Sequence, residues 1–370
     1  MERLRIWLAT LTLVTVLGAT HAQAASTIKI GTAGPMTGDQ GAFGQEIKNG
    51  VIIAVDEWNA KGGVLGKKIE IVWGDDQRDP KQAVAVANKF VNEGVAGVIG
   101  HFNSSCSIPA STIYHDGKLV QITPASTNPA FTERGLWNVF RACGRDDQQG
   151  SVAAAFIAKK LKRTKVAVLH DKTTYGQGLA DETVKALEKA GIKPVYYGGI
   201  TQGDKDYRPV LTAVKQKGPE VVFYGGIYPE AILVTKQMRE LGMKASFVSG
   251  DGVWTKDYIE IAGKDAEGAF ITFTPDQTKI KEAQEVIKKH RERFGSDVGA
   301  YTVYSYVAAN MLLDAIAATK STDGPKIADY IRKTKWNTAL GPIQFDNKGD
   351  VLVSPYVVWE VKNGKFVELK

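Results

Sequence analysis

The chain has 370 residues, a formal net charge of +7, 44% hydrophobic and 24% charged side chains. That length provides for about two domains, and the apolar share is that of a globular chain, not a disordered one. The basic excess is dispersed over pairs such as Lys67-Lys68, Lys159-Lys160 and Lys288-Lys289, which excludes the clustered, aromatic-interleaved surface of a nucleic-acid binder.

The first elements concern export. Met1 to Arg5 is a short basic head, Ile6 to Ala19 an apolar run, and Ala22-Gln23-Ala24 a set of small residues where a signal peptidase cuts. The run is too short for a spanning helix, which needs about 20 apolar residues. A cleavable signal peptide over 1–24 is therefore expected, and with it a soluble, exported mature chain. No cysteine follows the apolar run to carry a lipid, and no later uncharged segment approaches membrane-span length.

Downstream, short apolar runs alternate with helical patterns. Thr27–Ala33 reads as a strand, followed by a Gly-rich loop to Phe43 and Gly44. A helix with Ile47, Val51, Val55 and Trp58 on one stripe ends at Gly62-Gly63. Lys67–Gly74 is the next strand, Asp79-Pro80 the next helix start, and Val95–Gly100 an uncharged and therefore central strand. Leu119–Thr123 follows. A second series begins after Cys143-Gly144-Arg145-Asp146-Asp147, with strands at 165–170, 192–198, 221–226 and 246–250. From about 275 the chain is helical (Ile280, Ala283, Ile287, Phe294; then Tyr301–Ala318) and ends on a strand over Ser354–Val361. Two βα series predict an α/β protein of two lobes with parallel sheets, whose ligands bind beyond the carboxyl ends of the strands.

The loops there carry no recognisable reaction chemistry. Glycines 31, 34, 38, 41 and 44 do not give GxGxxG, and neither a P-loop nor a GxSxG elbow occurs. The histidines lack ligand spacing and there is no CxxC. Neither a cofactor nor a metal is expected, and a binding protein fits better than an enzyme. Export permits a disulfide between Cys106 and Cys143 if the fold brings them together.

Asn103-Ser104-Ser105 stands at the start of a helix, where backbone N–H groups and hydroxyls hold an anion; the alternative is that Ser104 or Ser105 simply caps the helix. Asp251, between Gly250 and Gly252, is either a carboxylate aimed into a cleft or a turn aspartate. Phe43, Tyr175, Tyr228 and Trp254 fall in or near such loops, as core packing or as pocket walls. An anion site on one lobe and an acid on the other, with aromatics between, suits a zwitterion with an apolar side chain.

At these residues the chain resembles the periplasmic branched-chain amino-acid-binding proteins of ABC importers, a type I periplasmic binding protein family. The resemblance runs through Asn59-Ala-Lys-Gly-Gly63, Asp79-Pro-Lys-Gln-Ala-Val-Ala-Val-Ala-Asn88, Ile99-Gly-His101, Ile122-Thr-Pro-Ala125, His170-Asp-Lys172 with Tyr175-Gly176, and Gly341-Pro342 with Lys348-Gly-Asp350. It implies two Rossmann-like lobes joined by three hinge segments: 25–144 plus 276–350, and 145–275 plus 351–370. It implies a ligand carboxylate held by Ser104 and Thr127, and an ammonium met by Ala125, Thr127 and Asp251. Phe43, Tyr175 and Tyr301 would surround the ligand. With their neighbours Ser105, Ser126, Ile227 and Tyr228 these make the candidate binding set. The chain departs from the family pattern where Asp251 replaces the usual glutamate and where Ile227 stands at a position that can hold tyrosine. The family's familiar cysteine pair falls on other positions, so Cys106 and Cys143 do not inherit it. The expected partners are a small amino acid and a membrane permease pair, with the binding protein itself a monomer; rival readings are a binder of aromatic or other small amino acids and a sensory domain feeding a receptor.

Overall fold

The computed structural model describes residues 27–369; the expected signal peptide lies outside them. Five parallel strands form the first sheet: β1 (Ile28–Gly34), β2 (Ile69–Asp75), β3 (Val98–Ile99), β4 (Gln121–Thr123) and β5 (Val139–Arg141), in the order β2-β1-β3-β4-β5. The second sheet holds β6 (Val166–His170), β7 (Tyr196–Gly199), β8 (Val221–Gly225), β9 (Ser246–Ser249) and β10 (Phe270–Phe273). A hairpin of β11 (Trp336–Thr338) and β12 (Gly341–Ile343) stands apart, and β13 (Val357–Lys362) and β14 (Lys365–Glu368) close the second sheet as β14-β13-β10-β9-β8-β6-β7.

These strands are apolar on both faces because helices cover both faces. Every residue of β6 and β8 is buried, and β1 is buried except at Lys29. The central place expected for Val95–Gly100 is found. Only Val98–Ile99 is regular strand, yet ladder bonds from Ala96 N to Lys29 O (2.8 Å) and from Gly100 N to Ile122 O (3.0 Å) extend it both ways. Asp79 caps the Pro80–Asn92 helix through its side chain, as its sequence predicts.

Two departures from the sequence reading concern the edges. The C-terminal strand is antiparallel to β10 and folds back into a further strand, β14, so the second sheet is not wholly parallel. The short strand β5 contains a charged residue, Arg141, which hides it from an apolar-run reading; the fold buries Arg141 against Asp350.

The chain crosses between the sheets three times: from β5 into the Asp146–Ala155 helix, from β10 towards the Gln284–Phe294 helix, and through the segment before β13. The long Thr302–Thr319 helix packs on the Gly41–Ala60 helix of the first sheet. Their backbones approach so closely at Gly50 that a Cβ there would lie 2.2 Å from the Thr302 carbonyl oxygen. Among the described residues no helix is long and apolar enough to cross a membrane.

Candidate functional site

Leaving out the antiparallel pair, both sheets have the same order of strands, 2-1-3-4-5 within each series. The order reverses beside the first strand of each, and ligands bind outside the carboxyl ends at such a reversal. The loops after β3, β4, β8 and β9 meet there around a small cavity. Phe102, Ser104 and Ala125 line it from the first sheet, Tyr175, Ile227 and Asp251 from the second, and Tyr301 from the start of the Thr302–Thr319 helix.

The first wall is a helix start and a braced loop. Asn103, not a serine, is the N-cap of the Ser104–Asp116 helix, and its side chain makes no capping bond, donating instead to Gln40 Oε1 at 2.9 Å. Ser104 is therefore a first-turn residue on the positive end of the helix. Its hydroxyl accepts from Asn128 N at 3.3 Å and lies at the cavity. The loop after β4 is tied down by Thr123, whose hydroxyl accepts from Ser126 N at 2.9 Å and donates to His101 O at 2.7 Å. The Ser126 hydroxyl is spent within this frame, 2.6 Å from Ser107 Oγ and donating to Phe102 O at 2.9 Å. Thr127, one residue on, is fully buried and its hydroxyl has no hydrogen-bond partner. A buried group left so costs about 1–3 kcal/mol. It is a hydroxyl available to something further.

Arg141 braces the same loop from behind. Its guanidinium donates to Ser126 O (2.6 Å) and Asn128 O (3.0 Å), while Nε sits 2.6 Å from Asp350 Oδ1. Arg145 holds the other oxygen of Asp350 at 2.5 Å. Burial would raise the Asp350 carboxyl, but these two guanidiniums and the Thr132 hydroxyl hold it below the usual carboxylate range.

The second wall is one acid in a tight turn. Asp251 opens a single 3₁₀ turn after β9 and is 3% exposed. A Cβ on Gly250 would stand 2.4 Å from Leu179 Cδ2 and 2.8 Å from the Tyr175 hydroxyl; one on Gly252 would stand 2.8 Å from Gly226 O. Both glycines are thus required for close packing, and they set Asp251 against Tyr175, whose hydroxyl donates to Oδ1 at 2.6 Å and accepts from Gly252 N at 3.1 Å. Burial pushes the Asp251 carboxyl up to about 6, the Tyr175 hydrogen bond pulling the other way.

Of the candidate set, Ser104, Ala125, Tyr175, Ile227, Asp251 and Tyr301 line this one cavity. Phe43 and Tyr228 stand behind it. Phe43 stacks on Phe102 at 4.6 Å between centroids and meets Tyr301 and Tyr228 edge-on at 5.5 and 5.3 Å. The Tyr228 hydroxyl spans the cleft to Asp39 O at 2.5 Å. Ser105 is only half-buried and is not among the lining residues. The disulfide left open by the sequence does not form: Cys106 and Cys143 are both free and buried. Cys143 donates weakly to Ser126 O at 3.6 Å, and burial pushes both thiols up, which disfavours the thiolate.

Sequence reasoning passed over Phe102 and Asp146. Phe102 follows directly on the Ile99-Gly-His101 motif, which was its signal. Asp146 opens its helix, fully buried, with both carboxyl oxygens unpartnered, and burial raises it well above the usual carboxylate range. Its position among polar loop residues gave no sign of that burial. Among the described residues no group of three His, Cys, Asp or Glu side chains is placed to hold a metal ion.

This architecture is matched among known proteins. Residues 27–365 match the family model described as periplasmic binding protein. The chain is 48% identical over 339 residues, 91% of each chain, to Leu/Ile/Val-binding protein homolog 2 of Brucella abortus (strain 2308). It is 45% identical over 355 residues, 95% of this chain and 94% of the other, to an amino acid binding protein of Pseudomonas aeruginosa. The crystal structure of the leucine-binding protein LivK from Thermotoga maritima superposes with a TM-score of 0.88 at 32% identity, over 93% of this chain and 98% of that one. A family match over nearly the whole chain, on two sheets that converge on one cavity, has a single reading: the chain belongs to the periplasmic binding protein family.

Proposed function

We propose that this chain is the solute-binding component of an ABC importer, capturing a branched-chain L-amino acid between two lobes and presenting it to a membrane permease pair. The observation that carries the reading is the polarity of the cavity: the Ser104 helix start and Ala125 on one side and the Asp251 carboxyl on the other, with the buried, unpartnered Thr127 hydroxyl two residues beyond Ala125 and outside the lining itself. A zwitterion satisfies both. Its carboxylate takes the Ser104 and Thr127 hydroxyls, and its ammonium takes Asp251 and the Ala125 carbonyl. Charge-assisted hydrogen bonds of this kind contribute about 1.5–3 kcal/mol each.

The space left for a side chain is bounded by Phe102, Ile227 and Tyr301. These apolar walls suit an aliphatic side chain. The names of the Brucella and Thermotoga relatives support the same class. The lobes are 25–144 plus 276–350 and 145–275 plus 351–370, with a signal peptide at 1–24 and the mature monomer in the periplasm. The ligand touches both lobes only when they are closed, and so shifts that population. No bond is made or broken in the cargo.

A thermal-shift screen of the twenty amino acids, followed by calorimetry, tests this reading. Leucine, isoleucine or valine should give the largest stabilisation. A chain stabilised by none of the twenty, or most strongly by an aromatic or acidic one, would not have this function.

A further inference from the structure

We infer that Arg78 is a closure latch: a positioning residue that reaches from the first lobe into an acidic notch of the second and sets how long the cleft stays shut. The inference rests on the capture reading above, but on residues that do not touch the cavity.

Arg78 follows β2 on a turn built at a cost. Gln77 and Arg78 are consecutive non-glycine residues with left-handed backbone, φ of 49° and 58°, a conformation that L-residues with a Cβ avoid. Two carboxylates enforce it: Asp75 Oδ1 accepts from Gln77 N at 3.0 Å, and Asp76 Oδ1 from Arg78 N at 2.9 Å. Asp76 is itself buried and fixed by His101 Nδ1 at 2.7 Å. The turn presents the guanidinium across the cleft. Nη2 lies 2.9 Å from Asp39 Oδ2 on its own lobe, and Nη1 lies 3.4 Å from Glu230 Oε1 on the other.

Glu230 shows why that reach matters. It sits in the first turn of the Tyr228–Glu240 helix, 2% exposed, with Oε1 accepting from Gly203 N at 3.0 Å and Oε2 unpartnered. A first-turn acid is ordinarily a solvated complement to the helix dipole; this one is buried. A second buried acid, Asp171, has one oxygen unpartnered, and burial raises its carboxyl to about 6 while Arg78 acts to lower it. The second lobe thus holds two under-compensated carboxyls, and the cation that faces them belongs to the first lobe. Separation of the lobes takes that cation away, so the ion pair is made on closure and broken on opening. The same guanidinium braces Asp39, whose carbonyl receives the Tyr228 hydroxyl, so one side chain secures both cross-cleft contacts on this side.

The test measures leucine association and release by stopped-flow fluorescence for the wild type, Arg78→Gln, Glu230→Gln and the double variant. Ligand enters the open form, where the latch is unmade. Arg78→Gln should therefore speed release about tenfold and change association less than twofold, with the double variant no faster than the faster single one. Arg78→Lys, which keeps the charge without the two-pronged reach, should fall between. Arg78 is partly exposed and its loss leaves the ligand contacts intact, so the variant is expected to fold. Unchanged release in Arg78→Gln, or fully additive single effects, overturns the latch while leaving capture standing. A wild type that binds no amino acid overturns the capture reading instead, and the latch with it.

Discussion

The two walls of the cavity stand on sheets of the same strand order and do opposite work. The first spreads its polarity over the helix start that carries Ser104 and an adjoining loop, whose Thr127 hydroxyl is unpartnered and whose carbonyls are pinned by Arg141. The second concentrates it in one carboxyl, Asp251, wedged between glycines and held by one tyrosine. A carboxylate is met by many weak donors, which a backbone supplies in number, whereas an ammonium needs a formal counter-charge. The difference teaches that the first wall should tolerate single losses and the second should not.

The largest effect is expected at the concentrated wall. Asp251→Asn should weaken leucine binding about 100-fold or more, since removing one partner of a buried charge pair costs roughly 3–5 kcal/mol; calorimetry reads it. The same variant should raise the melting temperature of the ligand-free protein at pH 7.5. Burial lifts this carboxyl to about 6, so the fold favours its neutral form. The stability tied to that form is complete below the unfolded value near 4 and is lost as pH rises through 6. Binding has the opposite sign, because the ammonium needs the carboxylate. Affinity should hold at pH 7–8 and fall roughly tenfold by pH 5 in the wild type, and this fall should vanish in Asp251→Asn.

Next in size is the brace behind the distributed wall. Arg141→Met leaves Ser126 O, Asn128 O and part of Asp350 without their donor, and urea unfolding should show a loss of about 3–5 kcal/mol. Its binding defect should come through the loop and be larger than that of either hydroxyl alone. Ser104→Ala and Thr127→Val should each cost only about tenfold in affinity, and Ser105→Ala, outside the cavity, less than twofold. A Ser104 loss as severe as that of Asp251 would erase the contrast between the walls.

Much of this was legible beforehand for physical reasons. Continuous apolar runs and period-3.6 apolar stripes register burial directly, so β1, β6, β8 and β9 fall where the runs place them. Asp251 between two glycines was legible because only a close approach needs both. Arg141 was not, because a lone arginine in a three-residue run reads as surface until Asp350, 209 positions away, is brought to it. Ser126 and Thr127 are neighbours of similar chemistry, and nothing in their order says which hydroxyl the frame consumes. The fate of the two cysteines was equally out of reach, since it depends on distance and not on spacing.

Local chemistry is written in the residue order: alternating strands and helices, helix starts without reaction machinery, an acid in a glycine turn, and motifs extended enough to mark a family. Which of those groups face one another is settled by the folded chain alone. The unpartnered Thr127 hydroxyl, the raised Asp251 carboxyl and the reach of Arg78 into the second lobe all arise from burial and from contacts between distant segments. Those energies exist only once water has been excluded between them.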